Sequence, residues 1–202
     1  MSTASVREKI INAALDLFSQ KGYDATSVDE IAESIGMKGP NIYKYFKGKE
    51  EVLKELSAKM EEGYRQRMKM NPDAGSNISS RDELKEFSMN QIRFTIEDDK
   101  ICKLRKMGTI EQFRNAHFSQ QTSEHQFDNM QRQFSAIFRN LMDKGVLEQD
   151  DAEMMAMEYY APVSLLIQLC DREPDRKEEV LGTVEKYIDF FLGKYFKTVK
   201  TA

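Results

Sequence analysis

Apolar residues at Val6, Ile10, Ala13, Ala14, Leu17 and Phe18 recur in steps of three and four, the spacing of a single stripe on a helix. The pattern predicts a first helix that runs to about Lys21 and stops at Gly22. In Thr26-Ser27-Val28-Asp29-Glu30 a serine stands three residues before a glutamate, so the two can cap one another's amides, and a second helix starts near Val28. It carries Ile31, Ala32 and Ile35, lasts about two turns and ends at Gly36. After the turn Gly36-Met37-Lys38, Pro40 sits where its missing amide does no harm, in the opening turn of a third helix that ends at about Phe46 before Lys47-Gly48. Two very short helices joined by a turn and braced by a longer one are the pattern of a helix-turn-helix.

Val52, Leu53, Leu56, Met60 and Tyr64 draw a fourth, long helix from about Lys49 to Met70, and Asn71-Pro72-Asp73-Ala74-Gly75-Ser76 reads as a loop. Ser80-Arg81-Asp82-Glu83 is a second capping box, ahead of Leu84, Phe87, Gln91 and Phe94. Helical patterning continues over 100–115 and 122–144, with Gly145 as a stop, and then over about 151–171 and 175–198 on either side of Arg172-Glu173-Pro174. The last two segments are apolar around more of their circumference than a surface helix needs. In the final one Val180, Val184, Tyr187, Ile188, Phe191 and Tyr195 form a stripe that Leu181 and Leu192 widen. Pro162 falls inside the segment before it and should kink it. The expectation is an all-α protein of about nine helices: a three-helix helix-turn-helix domain over 1–48, then a helical bundle over 49–202.

Charge sharpens this picture. Of 30 basic and 34 acidic residues, seven of each lie in the first fifty positions, so the whole negative balance lies downstream. Within that neutral segment the stretch Met37–Lys49 holds four lysines, three aromatic residues and no acid. On a helix, Ile42 and Phe46 share one face and anchor it, while Asn41, Lys44 and Tyr45 are expected to cluster outward with Tyr43 between them. Asparagine can pair with an adenine edge, lysine can donate to guanine or phosphate, and a tyrosine can touch a thymine methyl or a phosphate oxygen. The short third helix is thus equipped to enter a major groove, with Lys49, Thr26 and Ser27 flanking it toward the backbone.

These residues resemble the TetR family of one-component bacterial regulators. The likeness runs over about residues 6–54, through Thr26-Ser27-Val28-x-x-Ile31-Ala32, Ile35-Gly36-Met37 and Ile42-Tyr43-Lys44-Tyr45-Phe46-Lys47-Gly48-Lys49-Glu50-Glu51-Val52-Leu53. It implies that Lys38, Gly39, Pro40, Asn41, Tyr43, Lys44, Tyr45 and Lys49 lie at a DNA face and that Thr26 and Ser27 touch phosphate. Tyr45 stands where histidine is common, and Gly39-Pro40 replaces a more usual polar pair. The resemblance further implies a C-terminal domain that binds a small-molecule effector and forms a homodimer through the last two helices, about 151–171 and 175–198. The expected function is a ligand-responsive repressor that reads a palindromic operator in double-stranded DNA.

Other classes find little support. No nucleophile motif, phosphate-cradling glycine loop or cofactor fingerprint is present, so neither an enzyme nor a cofactor is expected. His117 and His125 are eight apart, off the spacing that places two ligands on one helical face, and no metal is expected. Cys102 and Cys170 read as inert reduced thiols. No apolar run approaches the ~20 residues of a bilayer span, and the first residues lack a signal-peptide pattern, so a cytoplasmic protein is expected. Twelve methionines and twelve phenylalanines furnish core and could line an adaptable pocket, although no single residue is assigned to a ligand. The alternative reading is a helical adaptor that uses the same cationic surface to bind protein.

Overall fold

A computed structural model describes residues 5–67 and 77–196. Its helices are α1 (Val6–Lys21), α2 (Val28–Ser34), α3 (Gly39–Ile42), α4 (Lys49–Arg67), α5 (Arg81–Glu97), α6 (Asp99–Glu111), α7 (Ala116–Ser123), α8 (Asn129–Asp143), α9 (Ala152–Arg172) and α10 (Lys177–Tyr195). A π-helical turn, Glu124–Asp128, joins α7 to α8 without a break, so the described residues form nine continuous rods. The expected loop at 71–76, the far end of the fourth helix, the side chains of Met60 and Tyr64, and positions 197–198 lie outside the described residues. Between α6 and α7 the observed boundaries differ from the expected 100–115 and 122–144. Asn115 accepts the His117 amide at 3.0 Å, which caps a new helix where the hydrophobic pattern alone suggested none.

The chain divides into two compact units, Met1–Arg67 with Asp99–Thr122 and Met68–Asp98 with Ser123–Ala202. In the first, Ser5 and Glu8 form a capping box at the start of α1, and the helix buries Ile10, Ile11, Ala13, Ala14, Leu15 and Phe18. Val6 is exposed and Leu17 only partly covered, while Ile11 and Leu15 are buried instead, because α1 is packed by α4 and α6 as well as by α2. The core continues through Ile31, Ala32, Ile42, Phe46, Val52, Leu53 and Leu56 to Met107 and Phe118. Two helices of seven and four residues bury little area on their own, so this unit also relies on polar braces.

The second unit is an aliphatic and aromatic bundle of α5, α8, α9 and α10. Tyr159 packs edge-on against Phe134, Phe138 and Phe191 with ring centroids 5.0, 5.5 and 4.8 Å away. Its hydroxyl donates to Ser88 Oγ at 2.8 Å, and burial pushes its pKa up. The buried face of α5 is shifted from the expected stripe: Leu84, Ser88, Met89, Ile92 and Ile96 are buried, whereas Gln91 and Phe94 are half-exposed. At the start of α5 Ser80 caps the Glu83 amide as expected. The Glu83 carboxylate, however, accepts from Ser79 N at 2.7 Å, one residue further back than a capping box requires. Helix α9 continues through Pro162. Cys170 is buried and Cys102 half-buried. Among the described residues no helix is long and apolar enough to cross a membrane, and no cluster of side chains could hold a metal ion.

Candidate nucleic-acid interface

Helix α2 is fixed at both ends by its own sequence. Ser27 Oγ accepts the Glu30 amide at 3.2 Å, and Glu30 Oε2 accepts the Ser27 amide at 2.7 Å. The Glu30 carboxylate also pairs with Lys21, and this pairing, with the Ser27 hydrogen bonds, lowers its pKa to about 2. At the other end Met37 N donates to Ala32 O at 2.8 Å and Gly36 N to Glu33 O at 2.9 Å, the paired bonds of a Schellman stop. The chain therefore turns at once into α3.

Regular helix ends at Ile42, four residues short of the expected Phe46. Lys44 and Tyr45 donate back three residues, to Asn41 O at 3.2 Å and Ile42 O at 2.9 Å, so the last turn tightens before Phe46 N closes on Ile42 O at 3.0 Å. Ile42 and Phe46 are 0% and 2% exposed and hold the element down, as their shared face predicts. The expected outward trio is split. Lys44 is exposed and Asn41 half-exposed, but Tyr45 packs against the core of this unit, and Tyr43, 58% exposed, is the aromatic residue left outward. Tyr45 lies only about 60° around the helix from Ile42, too close to face the other way.

The remaining predicted residues fall into two groups. Lys38, Gly39 and Pro40 open α3; Lys38 and Pro40 are exposed, and Lys38 and Lys44, with neighbouring Lys47, carry side chains that have no partner among the described residues. Gly39 lies against the Asp29 carboxylate of α2, and a Cβ there would make that exposed side chain shift. Ser27 is exposed at the start of α2. Thr26 and Lys49, by contrast, are turned to internal bonds. Thr26 is 1% exposed and its hydroxyl donates to Gly22 O at 2.8 Å. Lys49 Nζ donates to Tyr23 O, Asp24 O and Thr26 O at 2.7, 3.3 and 2.8 Å and lies 4.3 Å from the Tyr23 ring centre. An ammonium has three protons, and all three have acceptors here.

Arg7 braces the far end of the reading element, a role that nothing in its local sequence signals. Its guanidinium donates to Tyr45 O at 2.5 Å, forms a two-bonded pair with Glu55 and lies 4.2 Å from the Phe46 ring centre. The pairing raises the Arg7 pKa and lowers that of Glu55. One side chain of α1 thus joins the end of α3 to α4. Only a long-range contact map reveals it, since 38 and 48 residues separate the partners.

A short, capped helix followed at once by a second one, with exposed Lys38 and Lys44 on either side of it, is the geometry of a helix-turn-helix head. Residues 10–56 match the family described as "Bacterial regulatory proteins, tetR family", and residues 82–197 match the "AefR-like transcriptional repressor, C-terminal domain". The chain belongs to the TetR family of bacterial transcriptional regulators. YttP of Bacillus subtilis (strain 168), which bears the name of an HTH-type transcriptional regulator, is 42% identical over 76 residues, 38% of this chain and 35% of YttP. A TetR-family transcriptional regulator from Mesorhizobium loti MAFF303099 shares the fold with a TM-score of 0.71 at 22% identity, covering 95% of this chain and 96% of that one. SmeT, the repressor of the Stenotrophomonas maltophilia multidrug efflux pump SmeDEF, gives a TM-score of 0.67 at 22% identity over 96% of this chain and 92% of its own.

Proposed function

We propose that the protein is a homodimeric repressor that reads a palindromic operator with α3 and is released by a small-molecule effector. The observation that carries the reading is the asymmetry of α3 and the turn that follows it: Ile42 and Phe46 are buried beneath, while Tyr43 and Lys44 face out beside exposed Lys38 and Lys47. In this reading Asn41, Tyr43 and Lys44 meet base edges, while Lys38, Gly39, Pro40 and Ser27 meet the sugar-phosphate backbone. Tyr45, Thr26 and Lys49 belong to the same site, and their internal bonds support a role in holding it. Residues 1–48 read DNA. Residues 49–202 sense and dimerise, with α4 and α6 as the portion that packs with the first three helices.

A dimer through α9 and α10 is supported by an outward stripe on α9. Met154, Met157, Ala161 and Leu165 are all exposed and share one side, and on α10 Phe190 is 71% exposed. Two-fold symmetry would set two copies of α3 one helical turn apart on DNA, which makes the operator a near palindrome. SmeT has been captured in complex with triclosan, and by analogy an effector would favour a conformation whose reading helices no longer fit, through a coupling of about 1–3 kcal/mol. Such a repressor would work in the cytoplasm, beside the chromosome.

Gel retardation on a palindromic fragment from beside its own coding sequence, across a range of salt, tests the reading. Retardation that weakens steeply with salt, with a slope that Lys38→Ala flattens by about one unit, is expected. A helical adaptor would leave the fragment unretarded.

A further inference from the structure

Glu111, the last residue of α6, is 1% exposed, an unusual place for a carboxylate. Its Oε1 accepts the Tyr23 amide at 2.7 Å across 88 residues of sequence, while its Oε2 is buried with no hydrogen-bond partner among the described residues. Burying a carboxylate with one oxygen unmatched is unfavourable, and an apolar side chain of the same size would serve packing better. Packing alone therefore does not account for this residue.

The turn it reaches is the one that launches α2. From the α4 side Lys49 donates to the carbonyls of Tyr23, Asp24 and Thr26. From the α6 side Glu111 accepts the amide of that same Tyr23. Gly22 is shaped for this approach twice over: its φ is +90°, and a Cβ there would sit 2.6 Å from Glu111 Oε1. Ser27, the cap of α2, follows directly, and α2 packs on α3. A side chain that fixes Tyr23 thus fixes the start of the element on which the reading helix rests.

We propose that Glu111 is a positioning residue for DNA recognition, holding the α1–α2 turn from α6 so that α2 and α3 keep the orientation that fits the groove. The inference rests on the DNA-reading role proposed for α3. It makes no contact with DNA itself, which separates its signature from that of a lysine at a phosphate.

The test uses the full chain with Glu111→Leu, which removes the acceptor and the unpartnered oxygen, and Glu111→Gln, which keeps an acceptor. Three quantities are read: hydrogen exchange at the Tyr23 amide, the unfolding midpoint, and affinity across salt for a duplex taken from immediately upstream of its own coding sequence. Glu111→Leu should exchange the Tyr23 amide about tenfold faster and bind the duplex about tenfold more weakly, with an unchanged salt slope and an unfolding midpoint no lower than that of the unmodified protein. Glu111→Gln should return exchange and affinity to within about threefold. Should the leucine variant not fold, Glu111→Met also lacks an acceptor and carries the same expectations. Undiminished affinity or unchanged Tyr23 exchange in the leucine or methionine variant would overturn the positioning role alone. If the unmodified protein ignores both that duplex and a random one, the DNA reading falls and the inference with it.

Discussion

The two compact units solve the same problem with different interactions. The unit that carries α1–α3 is built from short elements held by long-range polar braces: Arg7 on Tyr45 O and Glu55, Lys49 on three carbonyls, and Glu111 on Tyr23 N. The unit of α5 and α8–α10 rests on long helices and a cluster of rings, with a single buried hydroxyl pair, Tyr159 to Ser88, among the described hydrogen bonds. The difference follows from element length. A four-residue helix cannot fix its own orientation by burying area, so directional hydrogen bonds must do it, whereas helices of 15 to 21 residues have faces large enough for packing to suffice. The bundle has polar braces too, Lys85 on Asp189 and both Asn140 and Lys144 on Ile78 O, but there they add to long packed faces, whereas the short elements of the head depend on theirs for orientation.

That contrast can be broken from either side. The largest effect is expected in the bundle: Phe191→Ala empties the space against Tyr159 and Phe138 and should lower stability by about 3–5 kcal/mol in chemical denaturation, without a specific effect on DNA beyond that loss of fold. In the head, Lys49→Met keeps the stem but releases three carbonyls. Affinity for specific and random duplex should fall about tenfold with an unchanged salt slope, and a slope lower by one would place the ammonium at a phosphate instead. Tyr159→Phe leaves the rings packed and strands the Ser88 hydroxyl, so a loss of about 1 kcal/mol is expected, well below that of Phe191→Ala if packing dominates this unit.

The smallest effect concerns acid. Glu30 titrates near pH 2 when folded, below its ordinary value of 4.5, so its contribution is complete above pH 4.5 and is lost as pH falls toward 2. An NMR titration should show that depressed midpoint, and Ser27→Ala should move it upward, because the hydroxyl's bond to Glu30 Oε2 is removed while the backbone amide of residue 27 still donates.

Much of the head was legible because its signals are local. The Ser27–Glu30 box, the stop at Gly36 and the burial of Ile42 with Phe46 all depend on residues within a few positions of one another. The same local reasoning placed Tyr45 outward, and it failed there because the angular separation from Ile42 is small and α3 tightens after Asn41. It also treated Thr26 and Lys49 as donors available to phosphate, whereas the fold gives both of them internal acceptors.

The sequence by itself determined the helices, their caps and the cationic character of the third, since periodicity and capping act over one or two turns. Only the tertiary structure decided that residues 99–122 pack with α1 and α4, that Arg7 closes on Tyr45, and that Glu111 reaches Tyr23. Those contacts join positions up to 88 residues apart, and the pattern of one helix carries no information about which distant carboxylate or guanidinium the folded chain will bring to its ends.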